Sequence, residues 1–187
     1  MIYIVFAHPY PSQSRANRAL LDGARSHPGV QVSSLYDRYP DFDIDIAAEQ
    51  DALSRAQLIV WMHPVFWYSV PGLLKHWFDK VLTYGWAYGE GGEALRGKDC
   101  LWVATTGGSA ETYSAAGIHQ RAFADFARPI ETTAVFCGMN WQSPYILHGA
   151  QDIESATLAS CAGQLRQRLE PWLAAEDGDA DAKESPS

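Results

Sequence analysis

Residues 2–20 read IYIVFAHPYPSQSRANRAL, and the reading of this stretch decides the fold. Residues 2–7 form an unbroken apolar run of strand length, rich in β-branched and aromatic side chains. From Arg15 the spacing changes, with Ala16, Ala19, Leu20 and Ala24 falling on one helical face. A strand that feeds a helix through a short loop is the first half of a strand–helix–strand unit, and it predicts a parallel sheet. The loop itself, HPYPSQS, holds two prolines and two serines and no glycine, so it is neither a dinucleotide turn nor a P-loop. Ser12 and Ser14 stand where the helix begins, where backbone N–H groups lack partners and partial positive charge collects. Such an end is an anion site, to which the hydroxyls of Ser12 and Ser14, the Asn17 amide and the His8 imidazole could add donors. A plain helix cap and a satisfied core histidine would account for the same residues.

Working outward, apolar runs and helical spacings alternate. VQVSSLY (30–36) alternates like an edge strand, and DIDIAAEQDALSRA (43–56) returns to helical spacing. LIVWMH (58–63) is a continuous buried strand, and PGLLKHWFDKVL (71–82) is a helix with proline near its first turn. KDCLWVATTGG (98–108) is a fourth strand and its loop, HQRAFADFA (119–127) a helix, and IETTAVFCGM (130–139) a fifth strand. SATLASCAGQLRQRLEPW (155–172) closes the chain as an amphipathic helix. The pattern predicts an α/β fold, a parallel sheet with helices on both faces and ligands bound beyond the carboxyl ends of its strands. One domain over residues 1–173 suffices, and the acidic segment 174–187 reads as a solvated, disordered tail.

Three segments leave strands at that edge. The first is the loop already described. The second, HPVFWYSVPG, sets Phe66, Trp67 and Tyr68 between Pro64 and Pro71, a stiff loop whose aromatics can line a flat apolar pocket. The third, TTGGSAETYSAAGIH, places Thr105, Thr106, Gly107 and Gly108 directly after a strand, with Tyr113 and His119 further along. The glycine pair permits close backbone approach and unusual dihedrals. An anion at the first loop and a planar group between the other two describe a mononucleotide with a large ring, a shape that a flavin fits.

Composition narrows the classes. A formal charge of −8 argues against nucleic acid and against an anionic membrane surface. Cys100, Cys137 and Cys161 are far apart, without metal-ligand spacing, and read as free thiols of a reducing compartment. MIYIVFAHPY lacks the basic start and apolar core of a signal peptide, and no run reaches the length of a membrane span, which predicts a cytoplasmic protein or one peripheral to a membrane through a partner. His63, His76, Trp61 and Trp77 read as core or interface packing, and Trp86 as a dimer-interface residue.

HPYPSQSRAN, HPVFWYSVPGLLKHWFDKVL, GWAYGEGG and ATTGGSAETYSAAGIH together resemble the flavodoxin-like NAD(P)H:quinone oxidoreductases, in order and spacing, as far as about Trp172. LYDRYPDFDIDIAAEQDALSRAQLIVW and GMNW resemble a narrower branch, the ancillary subunits of glutathione-gated potassium efflux antiporters. The resemblance implies a three-layer sandwich with a five-stranded parallel sheet in the order 2-1-3-4-5, a homodimer, and FMN, or alternatively FAD, bound without a covalent link. It implies that His8, Ser14, Arg15, Ala16 and Asn17 meet the flavin phosphate. Val65, Phe66, Trp67 and Tyr68 would meet one side of the ring, and Thr105, Thr106, Gly107 and Gly108 its polar edge. Tyr113 and His119 match a tyrosine and a histidine that assist charge relay, and Tyr88 an aromatic lying over the partner subunit's flavin. The implied activity is two-electron, ping-pong transfer from NAD(P)H to a quinone, joined to activation of a potassium antiporter on the inner membrane face. The alternative is a purely regulatory flavin-binding subunit. A one-electron carrier fits poorly, because its phosphate loop would be rich in Thr, Ser and Gly.

Overall fold

The strand runs predicted from apolar continuity form the centre of a parallel sheet. In the computed structural model, which describes residues 1–181, β1 (Ile2–Phe6), β3 (Leu58–Pro64) and β4 (Asp99–Thr105) lie side by side and are almost wholly buried. β2 (Val30–Ser34) pairs with β1 at the edge and is half-buried, as its alternating sequence requires. The order is β2-β1-β3-β4-β5, all parallel, with β5 (Asn140–Trp141) and β6 (Tyr145–Leu147) both pairing with β4. The topology therefore has its switch point between β1 and β3, where open parallel sheets take their ligands.

Alternation along each strand sorts the core into two layers. Ile2, Ile4, Phe6, Val60 and Val103 face α1 (Arg15–Ala24) and α6 (Ser155–Asp181), whose Leu20, Leu21, Leu158, Leu165 and Leu169 cover them. Tyr3, Val5, Trp61, Trp102 and Ala104 face the other way, toward α3 (Ile46–Arg55), α4 (Gly72–Val81) and α5 (Phe123–Phe136). α4 buries Leu73, Leu74, Trp77, Phe78 and Val81, one helical stripe, and Pro71 sits at its N-cap. A one-turn helix, α2 (Leu35–Arg38), follows β2. In the same layer Glu49 of α3 is fully buried and accepts from Tyr3, Tyr39, Ser33 and Trp77 at 2.8–2.9 Å.

The predicted fifth strand at 130–139 is corrected. Those residues continue α5, which buries Ala127, Ile130 and Ala134 at helical spacing and leaves Val135 and Phe136 exposed. Thr132, Thr133 and Val135 carry strand propensity, but packing on the sheet decides their conformation. The helix ends at Cys137, Gly138 follows at φ +77°, and strand pairing begins only at Asn140. From Cys100 to Val103 is three steps on β4, and from Trp141 to Tyr145 four on its partner, so the fifth strand bulges by one residue. Pro144, which has no N–H to give, sits inside the bulge. The helix predicted at 119–127 starts only at Phe123. At the other end α6 runs on helically to Asp181, inside the segment expected to be disordered, and 182–187 lie outside the described residues. Among the described residues, no helix is long and apolar enough to cross a membrane.

Candidate functional site

β1, β3 and β4 deliver three loops to one edge of the sheet, where they enclose a cleft of about 400 Å³. Its lining includes His8, Ser14, Arg15, Ala16 and Asn17 from the first loop, Val65 and Phe66 from the second, and Thr105, Thr106 and Gly107 from the third.

At one end stands the N-terminus of α1. Ser14 caps it, and its Oγ accepts from Asn17 N at 3.2 Å and from Asn17 Nδ2 at 3.0 Å. Both acceptor positions are thus used, and the hydroxyl proton is left for a further acceptor. The N–H groups of Arg15 and Ala16 have no intrahelical partner. Asn17 also donates to Thr105 Oγ1 at 2.9 Å, which ties the helix start to the end of β4, and its Oδ1 is buried without a partner. The Arg15 guanidinium donates to the Ile153 carbonyl, so the one charged side chain of the lining is tethered there. His8 is buried, and its Nδ1 accepts from Tyr10 N at 3.0 Å, which puts the proton of the neutral ring on Nε2. Burial lowers its pKa. This end offers several donors and little net charge, the chemistry of a phosphate site at a helix end.

The second loop is a tight hairpin. Phe66 and Ser69 exchange backbone hydrogen bonds of 3.1 and 3.0 Å, and Trp67 and Tyr68 between them adopt φ of +48° and +62°. Positive φ at both central positions defines a type I′ turn, which normally takes Asn and Gly. Trp67 is 92% exposed and Tyr68 about half. Two bulky aromatics are thus held in an unfavourable backbone region and turned outward.

The third loop is fastened to a segment that sequence reading missed. Thr106 N donates to Leu147 O at 3.0 Å, Ala150 N to Thr106 O at 2.9 Å, and Gly149 N to Gly108 O at 2.9 Å. The Thr106 hydroxyl donates to Gly108 O at 2.8 Å, so its 2.9 Å contact with His148 Nδ1 is a bond given by the histidine. The N–H groups of Gly107 and Gly108 have no acceptor among the described residues. Neither glycine has positive φ, contrary to the expectation of unusual dihedrals. Gly108 is required for closeness instead, since a Cβ there would lie 2.7 Å from Thr112 Oγ1.

Not all the predicted residues line the cleft. Trp67, Tyr68, Gly108, Tyr113 and His119 stand beyond it, Trp67 exposed by itself and the other four grouped together. Tyr113 stacks on His119 at 4.3 Å, and Tyr68 Oη lies 3.2 Å from His119 Nδ1, with Phe126 stacked on Tyr68 at 5.1 Å. Tyr88 is elsewhere, packed on Phe136 at 5.1 Å over a groove between α4 and α5. It does not reach this chain's own cleft. The missed lining residues Ala150 and Gln151 follow β6, and they would have been legible as a fourth loop had the fifth strand been read at 145–147.

The family model described as Flavodoxin-like fold matches residues 1–169, and the chain belongs to that family. It is 51% identical over 178 residues, 95% of this chain and all of the relative, to the glutathione-regulated potassium-efflux system ancillary protein KefF of Citrobacter koseri. Among solved structures it is similar to general stress protein 14 of Treponema denticola in complex with FMN, at 35% identity and a TM-score of 0.82 over 93% of this chain and 98% of that one. An NADPH-quinone reductase of P. pentosaceus superposes with a TM-score of 0.82 at 25% identity, over 90% and 96%. A protein described as a tryptophan halogenase of Streptomycin violaceusniger does so at 0.86 and 38%, over 90% and 98%.

Proposed function

We propose that the chain is an FMN-dependent NAD(P)H:quinone oxidoreductase that also serves as an ancillary subunit of a potassium efflux antiporter. The observation that carries this reading is the convergence of three loops at one edge of the sheet, where a capped helix N-terminus, Val65 and Phe66 at the start of an outward aromatic turn, and Gly107 with its free N–H line one cleft. The relatives' descriptions as potassium-efflux ancillary protein, FMN complex and quinone reductase support it. FMN suits the cleft better than FAD, because one phosphate end of donors is present and a solved relative holds FMN.

The Ser14 hydroxyl, the Arg15 and Ala16 N–H groups and the His8 Nε2–H would hold the phosphate. Phe66, Trp67, Tyr68 and Val65 would bound one side of the ring, and the N–H groups of Gly107 and Gly108 would meet its carbonyl edge. Bound FMN would supply acceptance of a hydride from NAD(P)H and its return to a quinone. The loop N–H donors would then face that edge as oriented donors suited to negative charge, as in other sites. Tyr113 and His119 hold the proton that accompanies the transfer, and the Tyr68 hydroxyl at His119 Nδ1 keeps the imidazole oriented. Tyr88 and the exposed Phe136 suit a homodimer in which Tyr88 covers the second copy's ring, and contact with the antiporter would bring the protein to the membrane's inner face.

Anaerobic absorption spectroscopy tests the reading. A yellow protein that NADPH bleaches and a quinone recolours supports the oxidoreductase. Colour that NADPH leaves unchanged would make this a flavin-binding regulatory subunit, and a colourless protein that refuses added FMN would overturn both.

A further inference from the structure

One fully buried histidine has no part in the chemistry above, yet both its nitrogens are engaged. Trp102 Nε1 lies 2.8 Å from His63 Nε2, and an indole nitrogen can only donate. His63 Nε2 therefore carries a lone pair, and the proton of the neutral ring sits on Nδ1. The 2.9 Å contact between Nδ1 and the Pro64 carbonyl is then a bond that His63 gives. Burial pulls its pKa down to about 4, so this arrangement holds throughout the neutral range.

The carbonyl that receives this bond belongs to the peptide joining Pro64 to Val65. The other side of that peptide, Val65 N–H, donates to Thr105 O at 2.8 Å. One peptide is thus pinned from both sides, and both residues that flank it line the cleft. Thr105 in turn accepts from Asn17, and Asn17 bonds to the Ser14 cap. The contacts form one connected network from a buried Trp–His pair, through the cleft wall, to the start of α1. An apolar side chain would fill the position of His63 without the cost of burying a polar ring. The two bonds, not the volume, account for a histidine here.

We propose that His63 is a positioning residue, which holds the Pro64–Val65 peptide as the wall against which the flavin ring lies. The proposal rests on the reading of the cleft as an FMN site. A wall set in advance need not be ordered when the ring binds, which favours affinity.

The test is FMN titration of the flavin-free full chain, followed by quenching of flavin fluorescence, with urea unfolding of the same proteins alongside. H63N keeps an N–H near the place of Nδ1 and loses the acceptor for Trp102, whereas H63Q and H63L delete the donor to Pro64. H63N is expected to bind FMN within about threefold of the unchanged chain while losing stability, and H63Q and H63L to bind about tenfold more weakly, ~1.4 kcal/mol. Either of the latter two that folds carries the test. Equal FMN affinity in all the variants overturns the inference and leaves the FMN site standing. So does failure of both H63Q and H63L to fold while H63N folds, which assigns the Pro64 contact to stability alone. An unchanged chain that binds no FMN overturns the site reading itself, and this inference with it.

Discussion

Trp67 and Tyr68 sit at φ +48° and +62°, where side chains other than Gly and Asn are disfavoured, and Trp67 makes almost no compensating contact with its own chain. Strain of this kind survives where something outside the fold uses it. Replacing the pair by Asn and Gly, the residues a type I′ turn prefers, should raise the stability of the flavin-free protein by about 1 kcal/mol. The same change should weaken FMN binding, and thermal melts beside FMN titrations check both arms. Loss of both stability and binding would mean that the aromatics hold the fold. Gly108 makes the opposite point, since it stays small because of Thr112 and not because of its dihedrals.

At the scale of elements, α1 has two jobs that one residue joins. Ser14 caps the helix and presents its hydroxyl proton to the cleft, so S14A should cost about 1 kcal/mol of stability. It should also narrow the preference for FMN over riboflavin, which lacks the phosphate, and paired titrations of the two flavins separate that effect from simple destabilisation. α3 is held differently, through the buried Glu49 carboxylate and its donors from Tyr3, Ser33, Tyr39 and Trp77, with Arg38 at 3.4 Å. E49A would leave those donors without an acceptor, and about 3 kcal/mol or more of stability should go, read as a fall in the urea midpoint. Nothing in the spacing of AAEQDAL announces that hub, because its partners come from three other parts of the chain.

For the whole molecule, buried histidines set the response to acid. In the unfolded chain His63 titrates near its ordinary 6.5, whereas in the fold it stays neutral down to about 4. Below 6.5 the unfolded state takes up a proton that the folded state refuses, so stability falls with pH until about 4, where both states bind it. Between pH 7.5 and 5 this one residue should cost about 2 kcal/mol. His8 and His148, whose pKa values burial also lowers, act in the same direction. Urea midpoints at the two pH values should fall less steeply in H63Q, and equal slopes would show that His63 is not held neutral.

The chain's local pattern determined much by itself. Continuous apolar runs at 2–7, 58–63 and 100–104 specify central parallel strands, and the loops that leave them had to meet at one edge, which is why His8, Ser14, Asn17, Val65, Thr105 and Gly107 were legible as residues lining a cleft there. Residues 130–139 were not legible, because β-branched side chains favour a strand locally while burial of Ala127, Ile130 and Ala134 on the sheet holds a helix. That displacement hid the fifth strand, and with it the loop of His148, Ala150 and Gln151. Only the tertiary structure decided that Trp67 turns outward and that His63 uses both its nitrogens. Bonds between residues far apart in sequence leave no period to read, since each exists only once the sheet has brought its two ends together.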